Sequence, residues 1–200
     1  MSGDSDHVWI IDPLDGTTNF LHGFPVFCVS IGLQVKGRME HACVYDPLRQ
    51  ELFTASRGAG AQLDGRRIRV SGRTKLDEAL IGTGFPFRQS EENVGPYLEM
   101  LRKGIVNTAG IRRPGAAALD LCYVAAGRLD AFWETGLSPW DLAAGSLIIR
   151  EAGGIVSGLD GSEDFLETRH ILTGTPKIYA AFARLCARQI RALTNQGAAR

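Results

Sequence analysis

The sequence predicts an α/β protein in which a sheet-rich first half precedes a half where helices and strands alternate. Through residues 1–104, apolar runs are mostly short and are separated by turn residues, which is typical of antiparallel strands. Through residues 105–193, segments with apolar residues at helical spacing alternate with short strand-like runs. We expect one domain over the 200 residues, with a tail at 194–200.

Strands are predicted throughout the first half. The run Val8-Trp9-Ile10-Ile11 is apolar at four consecutive positions, so we expect a buried strand. Gly37-Arg38 and Asp46-Pro47 mark turns, and Asp64-Gly65 marks a hairpin. The predicted strands of this half are residues 8–12, 27–35, 41–45, 51–55, 67–70 and 79–83.

Helices dominate the predictions after residue 90. The best-marked helix is 138–152, because Ser138 can cap it, Pro139 suits its first turn and Gly153-Gly154 can end it. The remaining predicted helices are 91–102, 115–126 and 176–193, and the predicted strands are 129–133, Ile155–Ser157 and 170–173.

The composition argues against several functional classes. A formal net charge of zero and a pI near 6.9 lack the basic character of a nucleic-acid-binding protein. No apolar run approaches the ~18 residues of a membrane span, and the polar N-terminus is unlike a signal peptide. The four cysteines form no C-x-x-C pair, so we expect buried, reduced thiols and a cytoplasmic location.

The segment Asp12-Pro-Leu-Asp15-Gly-Thr-Thr-Asn-Phe20 carries the strongest chemical signal. Two carboxylates follow a predicted strand, where α/β sheets tend to place ligands, and Mg²⁺ prefers such oxygen ligands. The turn after Asp15 opens a helix whose free N–H groups suit a phosphate. Far downstream, Asp141 falls in the first turn of helix 138–152, where the dipole favours its ionised form. The alternative is that Asp141 only caps that helix.

Read together, these segments resemble the two signature motifs of the inositol monophosphatase family. The second motif is Trp140-Asp-Leu-Ala-Ala-Gly-Ser-Leu-Ile-Ile-Arg-Glu-Ala-Gly-Gly154. The resemblance continues through Gly58-Ala-Gly-Ala, Gly84-Phe-Pro86 and Arg113-Pro-Gly-Ala-Ala-Ala-Leu-Asp-Leu-Cys122, and so covers nearly the whole chain. It implies the layered αβαβα sandwich of the inositol monophosphatase and fructose-1,6-bisphosphatase type, here lacking the N-terminal helices.

The resemblance also implies roles for individual residues. Asp12, the Leu14 carbonyl, Asp15 and Asp141 match the Mg²⁺ ligands. Asp15 and Thr17 match catalytic positions, the Thr17 hydroxyl orienting the attacking water, and the N–H groups of Gly16 and Thr17 match the phosphate cradle. Glu134 matches a contact to inositol hydroxyls, with a solvated strand-end charge as the alternative. The positions expected to line the substrate are Leu14, Asp15, Gly16, Thr17, Arg112, Gly115, Ala116, Ala117, Glu134 and Asp141.

The implied activity is Mg²⁺-dependent hydrolysis of inositol monophosphate, with a small phosphate ester as the main partner. Nucleotide 3′-phosphatases and histidinol-phosphate phosphatases are alternatives, although they tend to have Lys where this chain has Thr18. A non-enzymatic role is a further alternative, because some bacterial relatives bind the transcription machinery. An inactive fragment is the last alternative. Full-length members of the family are usually homodimers, so the resemblance also implies a homodimer.

Family members carry a Gly-Glu-Glu segment upstream of the first motif, whose first Glu binds metal and helps activate water. Only eleven residues precede Asp12 in this sequence, and Asp4 and Asp6 lie too close to match that Glu. We therefore expect an N-terminally shortened family member. Loss of a water-activating carboxylate is expected to lower the rate by ~10²–10⁴-fold.

Overall fold

The computed structural model describes residues 6–85 and 91–197, and at 91–93 and 195–197 it describes the backbone alone. The polar N-terminus before Asp6, Pro86 of one family motif and the last three residues of the predicted tail lie outside the described residues.

An antiparallel sheet of six strands forms the first half. Its strands follow chain order, so each pairs with the next along the sequence. This confirms the sheet-rich first half, although the strand predicted at 67–70 is shorter and begins one residue earlier. The six strands are β1 (His7–Asp15), β2 (Cys28–Val35), β3 (Arg38–Asp46), β4 (Glu51–Ser56), β5 (Gly60–Leu63) and β6 (Arg66–Arg67).

A mixed sheet of five strands forms the second layer of strands. Its order is β10-β11-β9-β7-β8, and β7 runs parallel to both β8 and β9. The strand β8 was not predicted, because three residues are too few to show a period. The strands are β7 (Leu80–Thr83), β8 (Gly110–Arg112), β9 (Ala131–Thr135), β10 (Ile155–Ser157) and β11 (His170–Gly174).

The prediction of a single helix over 176–193 is wrong. The backbone leaves the helical region at Cys186, with φ −100° and ψ 7°, so two helices occur there. The second of them continues to Gly197, where a loose tail was expected. The helices are α1 (Thr17–Leu21), α2 (Glu91–Asn107), α3 (Ala117–Ala125), α4 (Pro139–Glu151), α5 (Phe165–Thr168), α6 (Pro176–Leu185) and α7 (Ala187–Gly197), with a 3₁₀ turn at Leu76–Glu78.

Two apolar clusters hold the layers together. The larger one lies between the sheets and includes Phe53 of β4, Leu142 of α4 and Phe132 of β9. The smaller one covers the other face of the second sheet, where Trp133 of β9 meets Phe182 of α6. Phe132 and Trp133 belong to different clusters because successive strand residues point to opposite faces. Within the described residues, the layers follow in the order sheet, helix, sheet, helix, which confirms the predicted layered sandwich.

The expectation that the first strand is buried is wrong. Trp9 is 62% exposed, and Val8 and Ile11 are also exposed, whereas Ile10 packs against the larger cluster. Among the described residues, β1 lies at the edge of its sheet and pairs with β2 on one side alone. Alternation then turns Trp9 and Ile11 away from the core that Ile10 faces.

The four cysteines are free thiols, three of them buried and Cys43 half-buried, as the sequence predicted. None of the helices in the described ranges is both long and apolar enough to cross a membrane.

Candidate active site

A bulge at the end of β1 brings Asp12 and Asp15 to the same side of the sheet. Asp12 pairs with Ser30 and Asp15 pairs with Cys28, so two residues of β1 oppose a single residue of β2. In a regular strand, side chains three positions apart would point to opposite faces. The extra residue reverses that alternation, and Pro13 within the bulge has no N–H to leave unpaired.

The turn after the bulge is fixed by local hydrogen bonds. The N–H of Leu14 donates to Asp12 Oδ1 (2.9 Å), and the Thr17 hydroxyl donates to the Leu14 carbonyl (2.9 Å). Gly16 has φ +86°, and a Cβ there would lie 2.8 Å from the Val26 carbonyl oxygen. A glycine is therefore required where the chain turns from β1 into α1.

Asp15 is the most buried carboxylate of the motif, with 6% of its surface exposed. Its Oδ2 accepts a hydrogen bond of 2.7 Å from the backbone N–H of Ala118, in the first turn of α3. The Cys28 thiol lies 3.7 Å from the same oxygen. The fold thus inserts the carboxylate from the first half against a helix N-terminus from the second half.

Asp141 lies in the first turn of α4, as predicted. Its Oδ2 accepts a hydrogen bond of 2.7 Å from the backbone N–H of Ser138, so the capping role given as the alternative is real. The same side chain also joins Asp12 and Asp15, and the three contribute ligand oxygens that all lie within 4.8 Å of one another. The Asp141 carboxylate therefore both caps α4 and belongs to the acidic cluster.

The cluster carries more negative charge than its surroundings neutralise. Burial, together with the nearby Asp141 and Asp12, raises the pKa of Asp15 to about 7 against the opposing hydrogen bond from Ala118. Burial and the proximity of Asp12 raise the pKa of Asp141 to about 6. A divalent cation would relieve this repulsion, and carboxylate oxygens are the donors that Mg²⁺ prefers. The residues present therefore fit a magnesium ion.

Glu134 stands near the end of β9 and is not a solvated charge. Its carboxylate lies directly over the backbone of Gly84. Burial raises the pKa of Glu134 to about 8, with Asp15 adding to the rise and Arg113 opposing it. A group with this pKa is mostly protonated at neutral pH in the metal-free protein, so it can both donate and accept hydrogen bonds.

The predicted contact Arg112 and its neighbour Arg113 have different surroundings. Arg112 ends β8, and its Nη1 donates to the adjacent Ile111 carbonyl. Arg113 is the cation that lowers the pKa of Glu134 and also that of the buried Asp120. Its guanidinium lies 5.1 Å from the centre of the Phe85 ring. The sequence does not distinguish Arg113 from Arg112, because two adjacent basic residues give no pattern that separates their roles.

The predicted substrate-lining turn at Gly115, Ala116 and Ala117 lies beside α1. Asn19 Nδ2 donates to the carbonyls of Val26 (2.8 Å), Pro114 (2.9 Å) and Gly115 (3.3 Å). The side chains of Ala116 and Ala117 are buried, so this turn offers chiefly its backbone to a ligand. The tethering role of Asn19 was not predicted, although the residue stands inside the first motif.

Comparisons with known proteins agree with this arrangement. A model of the inositol monophosphatase family matches residues 1–191. Nus factor SuhB of Pseudomonas aeruginosa is 62% identical over 178 residues, which are 88% of this chain and 66% of that protein. Inositol-1-monophosphatase of Mesorhizobium japonicum is 51% identical over 181 residues, covering 90% of this chain and 68% of that protein. The chain thus spans about two thirds of the length of these relatives.

Among solved structures, extragenic suppressor protein suhB of Bartonella henselae superimposes with a TM-score of 0.88 at 49% identity. The match covers 92% of this chain and 71% of that chain. The layered sandwich is therefore shared with experimentally determined relatives.

Proposed function

Because the chain belongs to the inositol monophosphatase family, we propose that it hydrolyses inositol monophosphate to inositol and phosphate with the help of Mg²⁺. The observation that carries the proposal is the cluster of Asp12, Asp15 and Asp141, drawn together from two distant segments. Phosphate monoesters hydrolyse extremely slowly without a catalyst. A site that concentrates cations beside a helix-opening turn suits that reaction.

Asp12, Asp15, Asp141 and the Leu14 carbonyl would hold the magnesium. When bound, Mg²⁺ would lower the pKa of a coordinated water and stabilise the negative charge on the leaving oxygen. Asp15 is held in place by Ala118 N–H and Asp141 by Ser138 N–H, so each carboxylate has one oxygen anchored by the fold. Such anchoring fixes the ligands before the cation arrives, which reduces the entropy lost on binding.

The turn after β1 would bind the phosphate. Gly16 and Thr17 stand where β1 passes into α1, and N–H groups at a helix start lack acceptors within the helix. The Thr17 hydroxyl uses its hydrogen in the bond to the Leu14 carbonyl, so its oxygen remains an acceptor. It can then accept a hydrogen bond from the attacking water and align it with the phosphorus.

Glu134 would recognise the ring hydroxyls of inositol. Its carboxyl group, on β9 in the second half of the chain, is enclosed, and the negative charges of Asp15 and Asp141 help to raise its pKa. An enclosed polar group that lacks its substrate partner is costly, so this site would discriminate against esters without hydroxyl groups. The nucleotide 3′-phosphatase and histidinol-phosphate phosphatase activities remain the competing assignments within the same chemistry.

The test is phosphate release from inositol 1-phosphate across a Mg²⁺ titration, with 3′-AMP and histidinol phosphate as competing substrates. We expect saturable release that depends on Mg²⁺ and is greatest with inositol 1-phosphate. Asp15→Asn should abolish it, whereas Asp77→Asn, an exposed position on the 3₁₀ turn, should not. A folded wild-type protein that releases no phosphate from any substrate would refute the proposal.

A second function is favoured by the relative from Pseudomonas aeruginosa, which is named a Nus factor. We propose that this chain also contacts the transcription machinery as an accessory protein, separately from hydrolysis. The test is co-sedimentation of the protein with purified transcription elongation complexes. Retention of Asp15→Asn alongside the wild type would separate the two functions, and absence of both from the complexes would refute this one.

A further inference from the structure

Gly84, which follows β7, leaves the space that the Glu134 carboxylate occupies. A Cβ built on Gly84 would overlap both carboxylate oxygens and the carboxylate carbon of Glu134. Gly84 is not among the glycines with positive φ, so its backbone does not itself require glycine. The residue therefore lacks a side chain at a point where the neighbouring strand places a functional group.

The backbone of Gly84 is held firmly in that position. Its carbonyl accepts a hydrogen bond from the buried Tyr97 hydroxyl of α2, and the Thr83 hydroxyl lies 2.7 Å from the same Tyr97 oxygen. The Thr83 hydroxyl also donates to the Trp133 carbonyl (2.9 Å), immediately before Glu134 on β9. These bonds fix the peptide of Gly84 relative to β9, so an added side chain can be accommodated only by moving Glu134.

We propose that Gly84 is a positioning residue that reserves the site of the Glu134 carboxylate and thereby sets the preference for polyhydroxylated phosphate esters. The inference rests on the proposed function, in which Glu134 receives the substrate hydroxyls. A methyl group at position 84 displaces only the end of a flexible side chain, so the fold tolerates it. The added methyl group then weakens the binding of substrates whose hydroxyl groups contact Glu134. It leaves phosphate binding unchanged, because Gly16 and Thr17 lie on another element.

The first experiment measures kcat and KM for Gly84→Ala with inositol 1-phosphate and with p-nitrophenyl phosphate, which has no hydroxyl groups. We expect the ratio of kcat/KM between the two substrates to fall by about ten- to a hundredfold, as for loss of a hydrogen bond to a charged or enclosed carboxyl group. Most of the loss should appear in KM for inositol 1-phosphate. The matched control is Gly95→Ala on α2, where a Cβ would meet nothing within 4 Å.

A double-mutant cycle with Glu134→Ala separates positioning from a general structural effect. If Gly84 acts through Glu134, the double variant should have the same substrate ratio as Glu134→Ala alone. A further loss in that background would overturn the inference. So would an equal loss for both substrates in Gly84→Ala, because damage to the fold does not distinguish between esters.

Crystal structures of Gly84→Ala and Gly95→Ala supply a readout that does not depend on activity. We expect the Glu134 carboxylate to leave its place over residue 84 in the first variant and to keep it in the second. An unmoved carboxylate in Gly84→Ala would overturn the inference even if the wild type is active. A displaced carboxylate in a protein whose wild type hydrolyses neither ester would refute the proposed function, and with it the specificity role, while confirming the packing.

Discussion

The Asp15 carboxylate accepts a hydrogen bond of 2.7 Å from the backbone N–H of Ala118, 103 residues further along the chain. This bond places a buried acidic group against the first turn of α3, where the helix dipole favours negative charge. The pKa of Asp15 nevertheless rises to about 7, because burial and the nearby Asp141 outweigh the hydrogen bond. The site is therefore arranged to accept an additional positive charge.

Magnesium affinity should weaken as the pH falls through about 7. Asp15 binds a proton below that pKa, and a metal ligand must be deprotonated, so the proton and the cation compete. We expect the Mg²⁺ dissociation constant to rise by about tenfold per pH unit between pH 7 and pH 6, and more steeply below pH 6, where Asp141 also binds a proton. Calorimetric titrations between pH 5.5 and 8.5 measure it, and an affinity that stays constant over this range would contradict the prediction.

Replacement of Asp15 by Asn should stabilise the metal-free protein against unfolding. It should also abolish the additional stabilisation that Mg²⁺ gives to the wild type. An ionised Asp15 at pH 8 opposes folding because its folded pKa is raised from 3.8 to about 7. The gain in unfolding free energy should reach at most about 4 kcal/mol. Thermal unfolding in EDTA and in Mg²⁺ tests both parts, with Asp77→Asn as the control expected to behave as the wild type. A less stable Asp15→Asn protein in EDTA would show that the carboxylate contributes to folding.

Glu134 should make the metal-free protein less stable as the pH rises from about 4.5 to about 8. Its pKa is raised by folding, so the folded protein retains a proton that the unfolded chain has already lost in that window. The stabilisation is complete below pH 4.5 and disappears as the pH passes about 8. Urea unfolding of the wild type and Glu134→Gln over this range measures the difference. Parallel pH profiles for the two proteins would contradict the raised pKa.

Asn19 should contribute to the stability of the protein. Its side-chain amide connects α1 with the carbonyls of Pro114 and Gly115, so it joins the phosphate turn to the turn before α3. Asn19→Ala should lower the unfolding free energy by about 1–3 kcal/mol, because partly buried carbonyls lose a donor. The matched control is Asn107→Ala, whose amide donates to the Lys103 carbonyl on the exposed surface of α2. Equal unfolding free energies for the two variants would refute the tethering role.

Thr17 should be required for its hydroxyl group. Thr17→Val preserves the shape of the side chain but loses the oxygen beside the Leu14 carbonyl, and we expect kcat to fall by about 10²-fold. Thr17→Ser keeps the hydroxyl and should stay within a few-fold of the wild type. Steady-state kinetics with inositol 1-phosphate measure kcat for both variants. Similar kcat values for Thr17→Val and Thr17→Ser would contradict the proposed alignment of water.

Local patterns predicted much of the fold. The α4 helix occurs where its cap, first-turn proline and terminal glycines indicated, because these signals act within a few residues. The strand β8 and the break at Cys186 were missed, because short elements and helix ends depend on what packs around them. The burial of β1 was also predicted wrongly, since an apolar run does not reveal whether its strand lies at a sheet edge.

The candidate site, like the fold, could be predicted from the sequence only in part. The two motifs predict that Asp12, Asp15 and Asp141 belong to one site, because their residue types and order resemble a known family, and the three carboxylates do lie close together. The sequence could not show that a bulge turns Asp12 and Asp15 to one face, nor that Arg113 rather than Arg112 acts on Glu134. Those facts depend on register and on packing between distant segments.

The sequence by itself determined the chemistry available to this protein, because the oxygen ligands, the glycine turn and the helix signals are local properties of the chain. Only the tertiary structure decided how that chemistry is tuned. The pKa values of Asp15, Asp141 and Glu134 rise because residues far apart in sequence are buried together. The space over Gly84 exists only where β7 and β9 lie side by side. Burial and proximity between distant segments are products of folding, and no local pattern encodes them.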